Sequence, residues 1–272
     1  MITSSFDETT ASQMSVPYMK GDLNSSFTYG YSLSGKVIEG PDDLIGRHVH
    51  LLHPHQDYAQ ANISEAFTIP ESMDLALSTL ASNMETAVNA VWDGQVELGH
   101  RVMIVGYGII GALIAAIIKE MPGVELCIVD NNPRRAELAK KHGFETLVSG
   151  LYDLVYNTSS HEAVIQMAFE NSVPEAKIIE LSWYGSSAAR LLLGRDFHWG
   201  RKQLISSQVS SIPLRKQPGW TYYKRKQLVF GLLARLKPDH LITKQINFTD
   251  TPAFYDSLRK GDQQDLGVLI KY

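Results

Sequence analysis

Gly106-Tyr107-Gly108-Ile109-Ile110-Gly111 carries the sharpest chemical signal in the chain. A glycine at the first position permits a tight turn. One at the second lets the backbone approach a diphosphate, and one at the third lets a helix and a strand pack closely. A helix that starts here, at Ile109 and Ile110, points its first N–H groups at phosphate oxygens. Asp130 stands nineteen residues after Gly111, followed by Asn131, where a carboxylate accepts from the ribose hydroxyls of an adenosine. The same acid repels a 2′-phosphate and so favours NAD. Arg134 and Arg135, close behind, offset part of that repulsion and leave NADP possible. Two other readings stay open: a glycine turn that only packs helix on strand, and the methyltransferase version of this architecture, which also pairs a glycine loop with an acid on its second strand.

The surrounding pattern supplies the elements that such a turn needs. Val102–Val105 reads as a buried strand, Ile109–Met121 as a helix stopped by Pro122-Gly123, and Val124–Val129 as a second strand. Pro133 suits a first helical position and Gly143 a C-terminal cap. Short strands near Thr146, at Leu154–Tyr156 and at Ile178–Leu181, with a helix from about His161 to Glu170, continue the series. Strands and helices alternating at this interval imply right-handed crossovers and a doubly wound parallel sheet of the Rossmann type, an α/β fold. Ahead of it, Phe27–Tyr31, Gly35–Glu39 and His48–His53 read as strands with a turn at Glu39–Asp42, and a helix runs from Asp74 towards Trp92. After Ile212 come a helix around Leu228–Leu236, a strand at Leu241–Ile246, a helix at Pro252–Leu258 and a strand at Leu266–Ile270. From Met1 to Asn24 the chain is Ser/Thr-rich and weakly periodic. The expected division is a β-rich part over 1–82, a dinucleotide-binding domain over 83–212, and a segment over 213–272 that returns to the first part.

Composition narrows the function classes. The 272 residues are 44% hydrophobic, enough for a full core, and 25 basic residues against 29 acidic ones give a net charge of -4. A polyanionic backbone finds no general attraction here, so nucleic acid is excluded as an expected partner. The basic clusters Arg201-Lys202 and Lys224-Arg225-Lys226 read as solvated faces. Cys127 is the single cysteine, which excludes a disulfide framework and any zinc site built from several thiolates. It fits a reducing cytoplasm, and as a residue it reads as a small buried apolar side chain. No charged-then-apolar leader opens the chain, and the apolar run Val102–Ile118 is broken by glycines, so no membrane span is expected.

The motif order resembles the medium-chain dehydrogenase/reductase family, which includes zinc alcohol dehydrogenases and quinone reductases. Gly30-Tyr31-Ser32 with Ser34-Gly35-Lys36-Val37 looks like the family's Gly-His-Glu segment and its following strand, and Ile45-Gly46-Arg47-His48-Val49 like its Gly-Asp-Arg-Val turn. Glu85-Thr86-Ala87 and Leu266-Gly267-Val268 complete the pattern, from about Phe27 to Tyr272. Within the family, Tyr29-Gly30-Tyr31, His53-Pro54-His55-Gln56, Asn83-Met84-Glu85-Thr86 and Ser206-Ser207-Gln208-Val209 are similar to the branch containing the bacteriochlorophyllide hydroxyethyl dehydrogenases. The resemblance implies a Rossmann domain with a GroES-like β-rich substrate domain, split in sequence, and a cofactor in the cleft between them. It implies a homodimer and a small-molecule substrate. Because the family carries a further N-terminal β hairpin ahead of the matched region, it also implies a shortened substrate domain.

The departures concern zinc. Where the family uses the His and Glu of Gly-His-Glu and a Cys before its nicotinamide-facing Thr, this chain has Tyr31, Ser32 and Ser82, and His53–Ala61 runs through where the four-cysteine structural lobe would be inserted. Hydroxyls are poor replacements for thiolate and imidazole, so no zinc is expected. By resemblance, Thr86, Trp183, Tyr184, Gly185, Ser207 and Gln208 would surround the nicotinamide, and Arg135 would join Asp130 and Asn131 on the adenosine side. Without a metal the oxyanion needs hydrogen-bond donors, and Tyr31 and His53 are the candidates. Tyr31 as a core side chain filling the vacated space, and His53 with His55 as two metal ligands on one strand face, are the alternatives. His198 and His240 look incidental. Two functions follow: a zinc-independent oxidoreductase acting on an alcohol/ketone or conjugated carbonyl, or a non-catalytic dinucleotide- or partner-binding module with a degenerate site.

Overall fold

The structure is a computed structural model describing residues 17–20, 28, 30–185, 187–261 and 264–272. Most of the Ser/Thr-rich start, with Phe27 and Tyr29 of the first expected strand, lies outside the described residues. The chain divides into two compact units. One comprises Met1–Ser82, Gly185–Ser187 and Tyr222–Tyr272, the other Asn83–Tyr184 and Ala188–Thr221.

The second unit is a parallel sheet. Its strands are β4 (Arg101–Val105), β5 (Glu125–Val129), β6 (Tyr152–Asn157), β7 (Ser172–Glu180) and β8 (Gln203–Ser206), in the order β5-β4-β6-β7-β8. Val102 to Val105 are buried throughout, as expected for a central strand covered on both faces. Three helices return the chain between strands: α3 (Ile109–Lys119), α4 (Pro133–Lys141) and α5 (Glu162–Glu170), while α2 (Ala81–Gly94) precedes β4. Start and stop chemistry agrees with the sequence signals. The Asn132 side chain accepts from Arg134 N–H at 3.0 Å with Pro133 in the first turn of α4, and Gly143, at φ +78°, closes it by donating to the Lys140 carbonyl.

The strand expected near Thr146 is a single parallel bridge between Cys127 and Glu145. Thr146–Leu151 then leads directly into β6 without a helix. Arg101 holds this short crossover: Nη1 donates to the Leu151 carbonyl at 2.7 Å and Nη2 to the Ser149 carbonyl at 2.5 Å, while its own backbone N–H donates to Asp153 Oδ2 at 2.8 Å. At the far edge, Lys202 is buried and not solvated. Its ammonium donates to the carbonyls of Phe169 and Ser172, satisfying the end of α5 and anchoring the approach to β8.

The first unit holds an antiparallel sheet of β1 (Leu33–Lys36), β2 (His48–Leu51) and β3 (Phe67–Thr68), with α1 (Leu75–Ser78) and α6 (Tyr222–Leu236). It also holds a parallel pair, β9 (Ile242–Asn247) with β10 (Gly267–Lys271), joined through α7 (Thr251–Arg259). The helix expected from Asp74 to Trp92 is two helices. Ser78 and Thr79 hydroxyls donate back to the carbonyls of Leu75 and Ala76, both at 2.6 Å, competing with continuation at the break. Strands β3 and β8, two and four residues long, carry too little period to be read from sequence. Among the described residues no helix is long and apolar enough to cross a membrane.

Candidate functional site

In the second unit the three glycines of the turn meet three different surroundings. Gly106 adopts φ +101°, and a Cβ there would stand 2.6 Å from Thr158 Oγ1. A Cβ on Gly111 would run into the Gly106 carbonyl oxygen, so helix and strand touch backbone to backbone. Gly108 faces open space, its nearest neighbour being Arg135 Nη1 at 4.0 Å. It occupies the N-cap of α3 without any side-chain capping bond. The first turn of α3, at Ile109 and Ile110, thus begins at a cap where a ligand's oxygens can take the place of a capping side chain, with the positive end of the helix dipole behind them.

Asp130 follows β5 with both oxygens oriented: Oδ2 accepts from Tyr107 N–H and Oδ1 from Asn132 N–H, each at 2.7 Å. These bonds fix the carboxylate beside the turn while each oxygen keeps a lone pair for a hydroxyl. Asn131 next to it is exposed. Tyr107 turns the other way, buried, with its hydroxyl 2.7 Å from His142 Nδ1. Thr158, after β6, donates to the carbonyls of Val105 and Gly106 at 3.0 and 2.9 Å and braces the turn from the neighbouring strand.

The residues assigned to the nicotinamide are spread over several elements. Thr86 is half-buried on α2, Trp183 and Tyr184 follow β7, and Gly185, at φ +60°, clusters with the first unit. Ser207 and Gln208 serve a local purpose: Ser207 Oγ donates to Asp93 Oδ2 at 2.6 Å, and Asn89 Nδ2 donates to the Gln208 carbonyl at 3.1 Å, tying α2 to the segment after β8. Burial pushes the Asp93 carboxyl up, and the Ser207 hydrogen bond works against that.

In the first unit Ser32, Ser82 and His50 form a polar cluster. Ser32 donates to the Thr79 carbonyl at 2.6 Å and Ser82 to the Tyr31 carbonyl at 2.7 Å. Each hydroxyl hydrogen being committed to a carbonyl, Ser32 Oγ accepts from His50 Nε2 at 2.9 Å, with Ser82 Oγ at 3.4 Å. His50 Nδ1 is then the acceptor, 3.4 Å from Lys226 Nζ. His50 is 0% and Lys226 3% exposed. Burial and the Lys226 charge hold the His50 imidazole well below its usual range, so it stays neutral. The Lys226 ammonium also lies over the Phe67 ring, 5.1 Å from its centroid. The basic run Lys224-Arg225-Lys226 is therefore only partly a solvated face, Arg225 and Lys226 both being buried. Tyr31 is half-buried, and burial pushes its phenol up.

His53 and His55 lie beyond the end of β2 at Leu51, so they do not form an alternating pair on one strand face; His48 and His50 hold that relation. His53 is buried, its ring stacked on Tyr18 at 4.7 Å, and its Nδ1 donates to the Pro54 carbonyl at 3.0 Å. This leaves Nε2 as the nitrogen able to accept a proton. Among the described residues no group of three or more His, Cys, Asp or Glu side chains could hold a metal ion.

No family model matches the chain. It is 22% identical over 187 residues to D-guloside 3-dehydrogenase of Escherichia coli K12, covering 62% of this chain and 53% of that protein. It is 28% identical over 213 residues to L-threonine 3-dehydrogenase of Photorhabdus laumondii, covering 72% and 59%. The chain spans about half the length of the curated relatives it matches. A solved alcohol dehydrogenase of Escherichia coli CFT073, complexed with NADH, shares the fold with a TM-score of 0.68 over 86% of this chain and 80% of that one, at 20% identity.

The chain shares the fold of these dehydrogenases. That fold includes the parallel sheet and the separate antiparallel one. The narrower likeness to the bacteriochlorophyllide hydroxyethyl dehydrogenase branch rests on its four strings alone. His50, Thr158, Asn157 and Glu180 were not singled out in the sequence, because none belongs to a local motif. Only the alternation His48-Val49-His50 in a β-rich segment could have drawn attention to His50.

Proposed function

We propose that this chain is a zinc-independent, NAD-preferring oxidoreductase acting on an alcohol/ketone or conjugated carbonyl. The observation that carries it is the open backbone at Gly108, set over an α3 N-terminus that no side chain caps and beside the oriented Asp130 carboxylate. That arrangement fits a dinucleotide. Gly106, Gly108, Ile109, Ile110 and Gly111 would cradle its diphosphate with Arg135 alongside, Asp130 and Asn131 its adenosine ribose, and Thr86, Trp183, Tyr184, Gly185, Ser207 and Gln208 its nicotinamide, which supplies the hydride when bound. Tyr31 would donate to the substrate oxygen, with His53 Nε2 as its partner in proton transfer. NAD is favoured because the Asp130 charge opposes a 2′-phosphate; Arg135 keeps NADP in reach.

Zinc independence rests on Tyr31, Ser32 and Ser82, whose types and committed hydrogen bonds suit a metal poorly. A homodimer joined through the edge strand β8, which pairs only with β7 within the sheet, completes the reading. The burial of His53 and its stacking on Tyr18 favour the second reading, a dinucleotide-binding module without turnover. Calorimetric titration of metal-free protein with NADH, NADPH and adenosylmethionine, repeated on Gly108→Trp, tests the first step. The expected result is NADH binding that disappears in the variant. Binding of adenosylmethionine alone, or of nothing, would refute the oxidoreductase. Turnover on a panel of carbonyl compounds then separates the enzyme from the module.

A further inference from the structure

At the carboxyl ends of β6 and β7 three side chains close a ring. Asn157, fully buried, accepts from Ser159 through Oδ1, with the backbone N–H at 3.1 Å and Oγ at 2.7 Å. This turns its Nδ2 towards Glu180 Oε2 at 2.7 Å and towards the Tyr184 hydroxyl at 3.2 Å. Having accepted from Asn157, the Tyr184 hydroxyl donates to the same Oε2 at 3.3 Å, and Oε1 accepts from Ser182 N–H at 2.8 Å. Three donors therefore converge on Glu180, each oriented by its own surroundings. Such a set is complementary to a carboxylate, which only accepts.

Among the described residues, the groups facing this carboxyl are neutral or acidic. The strand β6 presents Asn157, the segment after β7 presents Ser182 and Tyr184, and α5 contributes Glu162, which acts on Tyr184. From the β8 side the Ser207 backbone N–H meets the Glu180 carbonyl at 2.9 Å. Burial pushes the Glu180 carboxyl up, and the three donors oppose that push.

Strand order decides what a charge here would meet. Asp130 follows β5 on one flank of the glycine-bearing β4, while β6 and β7 lie on the other flank. In an open α/β sheet the two halves of a dinucleotide lie over the two halves of the sheet, at the carboxyl ends of the strands. With adenosine at Asp130, the nicotinamide half belongs over β6 to β8. An oxidised nicotinamide is a cation and a reduced one is neutral.

The geometry points to Glu180 as a discriminator of cofactor oxidation state, its carboxylate favouring the oxidised nicotinamide and so favouring carbonyl reduction over alcohol oxidation on the protein. The inference rests on the oxidoreductase reading above. In that direction the carbonyl carbon gains a hydride and its oxygen a proton, and the positive charge that appears on the ring is the one Glu180 would stabilise. Glu180 is in this sense a positioning residue for charge, not a proton donor.

The test is calorimetric titration of the full chain with NAD+ and with NADH, for wild type and Glu180→Gln, from pH 8 down to pH 5. The amide keeps the shape and can still accept from Ser182. Glu180→Gln should weaken NAD+ binding about tenfold while leaving NADH within about twofold, the scale of one partly buried unit charge. On acidification the wild-type preference should shrink towards that of the variant as the carboxyl protonates. An unchanged ratio of the two dissociation constants in a variant with wild-type near-ultraviolet circular dichroism would overturn the inference and leave the oxidoreductase reading standing. If the variant does not fold, the wild-type pH series decides, and a pH-independent ratio overturns the inference. Failure of folded wild type to bind either nucleotide would overturn both.

Discussion

The glycine turn of the second unit and the His50 cluster of the first arrange polar groups in opposite ways. Around Gly108 the backbone of a helix start is left without a side-chain cap. Around His50, by contrast, a run of hydrogen bonds passes from Lys226 to His50, from His50 to Ser32 and from Ser32 to the Thr79 carbonyl, so that the polar groups answer one another. One region leaves a helix start open, and the other satisfies its polar groups from within. A buried polar cluster of this kind is an ordered element when each donor and acceptor finds a partner.

The contrast can be broken at the turn first. Gly111→Ala should cost at least about 3 kcal/mol in denaturant unfolding, because the methyl meets the Gly106 backbone, whereas Gly108→Ala should change stability by less than about 0.5 kcal/mol. Equal costs at the two positions would mean that Gly108 is a packing residue. Next in size, Lys226→Met should cost about 2 kcal/mol, as it leaves buried His50 Nδ1 without its donor. A neutral result would show the cluster to be dispensable.

Acid sharpens the same point. His50 is held below its ordinary value of 6.5 when folded, so the unfolded chain binds the extra proton. Its contribution is present above about pH 6.5 and is lost as pH falls towards the folded value. The melting temperature should decline over that window, and His50→Gln should flatten the decline. Ser207→Ala should cost only about 1 kcal/mol, the worth of one hydrogen bond to Asp93. Last, a chelator should change neither turnover nor melting temperature. Activity lost to it and restored by zinc would return a metal to Ser32 and Ser82.

The glycine turn was legible because its meaning is carried by six contiguous residues whose backbone freedom is written in their type. The strands and helices flanking it were legible for a similar reason, since Val102–Val105 and Ile109–Lys119 are buried enough to show continuous apolar runs. The break at Thr79 was not, because Ser and Thr can sit in a helix or turn back on its carbonyls, and tertiary surroundings choose. Lys226 was read as solvated because charge in a helix is usually exposed; only the arrival of His50, 176 residues away in sequence, gives its ammonium a buried partner. His53 and His55 drew attention as a spaced pair, yet the strand ended before them.

The short crossover at Thr146–Leu151 also bears on how the second unit assembles. A helical connection between the two halves of such a sheet leaves each half with a long tether and some independence. Here α4 is followed by the Cys127–Glu145 bridge, and only six residues, gripped by Arg101, lead from that bridge into β6. The entropy of closing a loop grows with its length, so β6 is delivered to the flank of β4 at a lower search cost than a longer link would impose. Folding of the two halves should accordingly be a single kinetic event, with Arg101 among the contacts formed by the time the barrier is crossed.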